Sequence, residues 1–258
     1  MGCTLLVWGS LADIYGRRLI FLIGSTSLAV VTLIPPFIPK AAPFCIIQAL
    51  QGVFAAATWP SAIGILSVTF PNGRRRNYAI TSHSAASCLG SVVGNVLGGL
   101  VGAALTWKWV YWILAMVAAV VSVLSFLLIP SVSIAKPGPE VQRRSAVDWL
   151  GATLVTGGVL LLLISITEGS SLGWKKAWIP VLIVASVLIL AAFCLWQRYV
   201  EHHTKVDPLI RMSIFSNLQF SAGLGVAILF YSSYQSFLLF ATYLYVVRSL
   251  LKEDSGYS

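Results

Sequence analysis

The chain has 258 residues, of which 58% are hydrophobic and only 10% are charged, with a mean hydropathy of +0.87. A soluble domain carries about 25% charged residues, so these proportions exclude an ordinary soluble globular fold. The net charge of +9 would suggest a nucleic-acid partner for a soluble protein. Here the basic residues stand between apolar runs, which instead indicates membrane topology and no nucleic-acid partner.

The apolar runs predict an all-α, polytopic membrane protein. The opening stub, residues 2–8, is too short to cross a bilayer, which needs about 20 residues per helix. The longer runs do not alternate polar and apolar residues, so helices rather than barrel strands are predicted to span. Seven complete spans are predicted at residues 19–37, 44–69, 78–105, 109–129, 147–166, 179–199 and 215–247.

A charged segment, residues 9–18, joins the stub to the first complete run. Gly9 and Gly16 predict a tight turn between closely packed helices. Asp13 is suited to cap a helix end or to pair with an arginine, while Arg17 and Arg18 are suited to anchor the next helix among lipid headgroups. A simple headgroup-anchoring loop is the alternative interpretation.

The second predicted span carries uncharged polar residues in its first half. Gln48, Gln51 and Gly52 are followed by small residues, and Pro60 is predicted to kink the helix because it lacks a backbone donor. We interpret Gln48 as a residue that hydrogen-bonds two helices together, an interaction worth about 1 kcal/mol in a membrane.

Glycines recur every four residues in the third run and so form one stripe along a helix, which lets another backbone approach closely. Ordinary small-residue packing would produce the same spacing. The stripe consists of Gly90, Gly94, Gly98 and Gly102, with Gly99 and Asn95 beside it.

Two polar segments divide the chain. When consecutive spans cross the membrane in opposite directions, eleven of the 17 Lys and Arg fall on one side, which we predict to be cytoplasmic. The predicted organisation is a partial helix bundle at 1–130, a cytoplasmic linker at 131–146, two further helices at 147–200, a cytoplasmic loop at 201–213 and one helix of a second bundle at 214–258.

Few residues are candidates for a catalytic or binding site. No phosphate-binding loop, zinc-protease motif or nucleophile elbow occurs, so no enzyme activity, catalytic residue, metal or cofactor is predicted. Tyr231, Tyr234 and Gln235 could line a cavity or belong to an interfacial aromatic belt, and the sequence leaves both open. His83 is interpreted as a headgroup or capping contact. The four cysteines, without metal-like spacing, are predicted to be small buried residues.

The segment Gly-Ser-Leu-Ala-Asp-Ile-Tyr-Gly-Arg-Arg at 9–18 resembles the loop between the second and third helices of the major facilitator superfamily. Gln51 and Gly52 match its fourth-helix motif, with Gln48 at the position of that motif's arginine. The glycine stripe resembles the fifth-helix antiporter signature, with Asn95 in place of a proline. The two further helices resemble the fourteen-helix drug:proton antiporter branch, and the segment 230–237 resembles its fungal aminotriazole-resistance and borate-efflux group.

The resemblance implies a partial major facilitator fold in which residues 9–18 act as a latch between two bundles. It implies proton-coupled export of small toxic or xenobiotic compounds by alternating access in an intact parent protein. Membrane lipid, a small-molecule substrate and protons are the implied partners, and the plasma membrane is the expected location, with the vacuolar membrane as the alternative. A truncated, non-transporting or regulatory membrane remnant is the alternative function.

Overall fold

A computed structural model describes residues 1–129, 147–173, 176, 178–203, 208–210 and 212–254. The described residues form helices and connecting turns with no strand, which confirms the predicted all-α class. The predicted linker at 131–146 lies outside the described residues. The helices are α1 Leu5–Tyr15, α2 Arg17–Thr32, α3 Ala41–Thr69, α4 Arg74–Ala104, α5 Trp107–Leu128, α6 Trp149–Leu172, α7 Trp178–His203 and α8 Leu218–Asp254.

Seven segments of the described chain are long and apolar enough to cross a membrane, which confirms the seven predicted spans. Their mean hydropathy lies between 1.4 and 2.7. The span that contains α2 extends through the 3₁₀ turn Pro35–Phe37, where two prolines end the α-helix because they lack backbone donors. Helix α1 has 11 residues and corresponds to the predicted stub.

The predicted turn at residues 9–18 is much shorter in the structure. Helix α1 continues through Asp13 to Tyr15 and α2 begins at Arg17, so Gly16 alone forms the turn. Gly16 has φ 104°, a conformation that glycine adopts without the steric cost of a Cβ atom. Gly9 therefore lies inside a helix rather than in a turn, because the polar residues around it still satisfy their backbone groups helically.

Helices α1, α2, α3 and α5 pack together in one group. Helix α2 packs against α3 and α5, and α1 packs against α3. The buried residues Ala12, Ile20 and Ala57 meet at the centre of this cluster, with Trp8 and Leu11 against them. Small alanine side chains let the helix axes approach closely, which is how helices associate when lipid surrounds them.

Helices α6 and α7 form a second pair that packs closely along its length. The pair is joined to the beginning of the chain by the Thr156 hydroxyl, which donates a hydrogen bond of 3.1 Å to the backbone oxygen of Cys3. Residues Met1–Leu209 form one compact unit, and the chain divides from the next unit inside the predicted loop 201–213.

Residues Ile210–Ser258 form a separate unit that contains α8. The start of α8 is fixed by local contacts, since Asn217 accepts a hydrogen bond from the Gln219 backbone and the Ser221 hydroxyl donates to the backbone oxygen of Phe215 at 2.7 Å. The rings of Phe215 and Phe220 pack edge-to-face with centroids 5.9 Å apart.

The prediction that all four cysteines are buried is wrong for two of them. Cys3 is buried and Cys88 is half-buried, but Cys45 and Cys194 are exposed and all four are free thiols. The reason is that an apolar run in a membrane helix has a face toward lipid as well as a face toward protein, so apolar surroundings in sequence do not imply burial against protein.

Candidate functional site

An ion pair closes the junction between α1 and α2. Arg17 Nε donates to Asp13 Oδ1 at 2.9 Å, and Arg17 Nη2 lies 2.9 Å from the same oxygen. The two residues are four positions apart on either side of the Gly16 turn, so the turn brings the guanidinium back over the last turn of α1. The pairing partner foreseen for Asp13 among the arginines is therefore Arg17.

The same guanidinium reaches α3, which the sequence did not indicate. Arg17 Nη1 donates to the backbone oxygen of Gly64 at 2.8 Å and to Ser67 Oγ at 3.1 Å. A Cβ atom on Gly64 would lie only 2.5 Å from Arg17 Cδ, so glycine is required for the arginine to lie across the helix. Arg17 thus ties three helices together at one end of the unit, and this end also holds the start of α4.

The remaining members of the predicted latch segment play different structural roles. A Cβ atom on Gly9 would lie 3.7 Å from the Pro60 Cβ, an ordinary contact, so α1 and α3 do not require glycine there. Arg18 is half-buried in the first turn of α2. Pro60, the neighbour of Gly9, lies inside α3, which remains helical to Thr69.

The polar residues of α3 connect it to its neighbours. Gln48 Nε2 donates to the Tyr111 hydroxyl on α5 at 2.8 Å, and Gln51 Nε2 donates to Thr32 Oγ1 at the end of α2 at 3.0 Å. The bond from Gln48 is consistent with the interpretation that this residue joins two helices. Gly52 lies against the start of the chain, since a Cβ atom there would be 3.3 Å from the Met1 nitrogen.

The glycine stripe of α4 is open. A Cβ atom placed on any glycine from Gly90 to Gly102 would meet no described atom within 4 Å outside its own helix. Asn95 does not interrupt the helix, and its Nδ2 donates to the Ser91 backbone oxygen one turn earlier at 2.9 Å. This stripe is therefore available to a surface that the described unit does not supply.

His83 lies beside a cavity rather than at a helix cap. Its ring packs edge-to-face on Trp59 with centroids 5.6 Å apart, and both residues line a cavity of about 320 Å³ between α2, α3, α4 and α5. The Nε2 atom of His83 is buried without a hydrogen-bond partner among the described residues. The capping interpretation is wrong because His83 lies more than two turns inside α4.

A buried carboxylate that sequence reasoning did not single out joins α6 and α7. Asp148 is only 6% exposed and caps α6 by accepting the Gly151 backbone N–H at 2.9 Å. It also accepts hydrogen bonds from Trp196 Nε1 at 3.0 Å and from Gln197 Nε2 at 2.7 Å. An Asp just before an apolar run indicates a cap, but nothing in the sequence connects it to residues almost 50 positions later.

The described residues contain no group of three or more side chains that could hold a metal ion. A model of the Major Facilitator Superfamily matches residues 1–253, almost the whole chain. The chain belongs to the major facilitator superfamily. Together with seven apolar helices of spanning length, this membership identifies an integral membrane protein of a transporter family.

Similar major facilitator proteins include several named for resistance or export. The puromycin resistance protein pur8 of Streptomyces alboniger is 32% identical over 81% of this chain and 39% of its own length. The tetracenomycin C resistance and export protein of Streptomyces glaucescens is 28% identical over 99% of this chain and 46% of its own length. The multidrug transporter mfsC of Aspergillus fumigatus is 28% identical over 98% of this chain and 46% of its own length. The chain thus spans less than half the length of these relatives.

The last predicted site residues of this major facilitator chain lie on α8. Tyr231 is exposed and packs edge-to-face on Phe230 with centroids 5.8 Å apart. Tyr234 and Gln235 follow on the next turn of the same helix. Whether these residues line a cavity or belong to an aromatic belt stays a prediction.

Proposed function

We propose that this chain is part of a proton-coupled exporter of small toxic or xenobiotic compounds that works by alternating access. The observation that carries the proposal is the Arg17 guanidinium, which clamps α1, α2 and α3 together at one end of the unit. A clamp of this kind lets the helices move as one body, which rocking of one bundle against another requires. The names of two relatives, a puromycin resistance protein and a tetracenomycin C resistance and export protein, support the substrate class.

The open glycine stripe on α4 supports the same proposal. A transporter bundle must meet its partner bundle over a smooth surface that can separate again, and a row of glycines provides close approach without interlocking side chains. We assign this surface to the interface between the two bundles of the intact transporter. Tyr231, Tyr234 and Gln235 are proposed to line its cavity.

The charge distribution supports a cytoplasmic location for the clamped end. Arg17 and Arg18 stand at the start of α2, and Arg74, Arg75 and Arg76 stand at the start of α4. The contact of Arg17 with Gly64, near the end of α3, brings both arginine groups to the same end of the unit. Basic residues accumulate on the cytoplasmic side of membrane proteins, so this end is proposed to face the cytoplasm of a plasma-membrane protein.

The experiment that tests the proposal measures accumulation of a panel of toxic compounds, including puromycin, in an efflux-deficient host that expresses the longest product of the gene. We expect lower accumulation than in the empty host, and a protonophore should abolish the difference. Lower accumulation that survives the protonophore would contradict proton coupling. The 258-residue chain expressed alone is expected to give no export.

The latch residues are tested in the same assay. Asp13→Asn removes the charge that pairs with Arg17, so export should fall although the protein is still made at the normal level. Arg74→Gln is the matched control, because it removes a charge at the same end of the unit from a residue outside the Asp13–Arg17 cluster. Unchanged export by Asp13→Asn, or an equal loss from both variants, would remove the latch from the mechanism.

A further inference from the structure

A second opening lies between the end of α3 and the start of α4 and shares His83 with the cavity described above. It is an open groove of about 800 Å³. Leu66 near the end of α3 and Phe70 just beyond it line one side, and α4 contributes Arg75, Tyr78, Ser82 and His83. The volume lies in the range of sites that hold a complete small molecule, about 300–1,000 Å³.

The groove has polar side chains from α4 and an apolar wall from the end of α3. Arg75, Tyr78 and Ser82 lie on one face of α4, because residues three, four and seven positions apart are neighbours on a helix. Arg75 is the second residue of α4 and His83 lies eight positions further, about 12 Å along the axis at 1.5 Å per residue. The Arg75 guanidinium and the Tyr78 hydroxyl thus stand near the helix start, and Ser82 and His83 lie about two turns further along. Leu66 and Phe70 provide the apolar wall at the end of α3.

The three arginines at the start of α4 have no acidic neighbour in sequence. No Asp or Glu occurs between Asp13 and Glu140, and Asp13 is already paired with Arg17. Arg76 is engaged by the neutral side chain of Asn72. Because α4 begins a membrane-spanning segment at Arg74, the anionic headgroups of the bilayer surface lie within reach of Arg75.

We propose that this groove binds one anionic phospholipid. The lipid phosphate accepts hydrogen bonds from the Arg75 guanidinium and from the Tyr78 hydroxyl, and one acyl chain lies along Leu66 and Phe70. The Ser82 hydroxyl is not needed for this contact, because it donates to the Ala79 backbone oxygen. Guanidinium groups match phosphate oxygens in a two-pronged geometry, and basic recesses between membrane helices recognise anionic headgroups. The proposal does not depend on transport, so failure of the export assay leaves it standing.

The test titrates the complete chain, purified in a neutral detergent, with dioleoylphosphatidylglycerol or dioleoylphosphatidylcholine and counts bound lipids by native mass spectrometry. We expect one phosphatidylglycerol to be retained in preference to phosphatidylcholine. Arg75→Gln should weaken that binding about fivefold, the change that corresponds to ~1 kcal/mol for one arginine near a membrane surface. Arg74→Gln, the matched control on the preceding residue, should change it less than twofold.

A second variant tests the groove without altering charge. Ala79 lines the groove between Tyr78 and Ser82, so Ala79→Phe should fill it and weaken phosphatidylglycerol binding while the helical circular dichroism stays unchanged. Potassium phosphate at matched ionic strength should not displace the lipid, and displacement would show that phosphate alone is the ligand. Equal binding of both lipids, equal losses from Arg74→Gln and Arg75→Gln, or normal binding by Ala79→Phe would overturn the proposal.

Discussion

Replacing Asp148 with alanine should separate α6 from α7 more than any other single truncation in that pair. The substitution removes the cap on the Gly151 N–H, which is worth about 0.5–2 kcal/mol. It also removes the acceptor of the Gln197 amide, whose side chain is 0% exposed, and a hydrogen bond to a charged group contributes about 1.5–3 kcal/mol. The expected loss of unfolding free energy is therefore about 2–5 kcal/mol.

The assay is unfolding of the purified chain in mixed micelles titrated with sodium dodecyl sulfate, followed by tryptophan fluorescence. Trp196, which donates to Asp148, is one of the nine tryptophans that contribute to this signal. Thr153→Ala is the control, because its exposed hydroxyl bonds only the Leu150 backbone oxygen in its own helix. A loss for Asp148→Ala no larger than that for Thr153→Ala would refute the reasoning.

A double-mutant cycle separates the cap from the interhelical bond. Gln197→Leu removes the amide that donates to Asp148, so the double variant should lose less stability than the sum of the two single variants, by about 1–2 kcal/mol. Strict additivity would mean that the Asp148–Gln197 bond contributes nothing.

Two further predictions concern α3. Gly64→Ala should displace the Arg17 side chain and lower stability by about 1–3 kcal/mol in the same titration, whereas Gly90→Ala, on the open stripe, should be neutral or slightly stabilising; equal effects would contradict the arginine clamp. Gln51→Leu should cost only about 0.6 kcal/mol, the average for an interhelical hydrogen bond in a membrane, because it removes one bond to Thr32; a loss above about 2 kcal/mol would show that Gln51 does more.

The spans could be predicted from the sequence because length and apolarity alone decide whether a helix crosses a bilayer. The bonds between helices could not. Arg17 meets Gly64 and Ser67 across about 50 positions, and a glycine with a serine three residues later is too common in membrane helices to indicate a partner. A glutamine in an apolar run indicates a hydrogen bond to another helix, but the partner of Gln48, Tyr111, follows only from how α3 and α5 pack.

The sequence also predicts a longer turn around Gly16 than the structure shows. Charged and small residues at 9–15 look like a loop in a membrane sequence, yet they continue α1, since a helix that reaches the headgroup region satisfies its backbone groups best by remaining helical. The burial of Asp148 was likewise not predictable, because a capping position can be exposed or covered depending on the helix beside it.

The proposed topology places the Gly16 turn and the α3–α4 connection on the same, cytoplasmic side of the membrane. It is tested most directly by thiol labelling of Tyr15→Cys, Asn72→Cys and Lys40→Cys in a background whose four native cysteines are replaced by alanine. An impermeant maleimide should reach Lys40→Cys in intact cells and the other two only after permeabilisation. Labelling of Tyr15→Cys and Asn72→Cys from opposite faces would contradict the account.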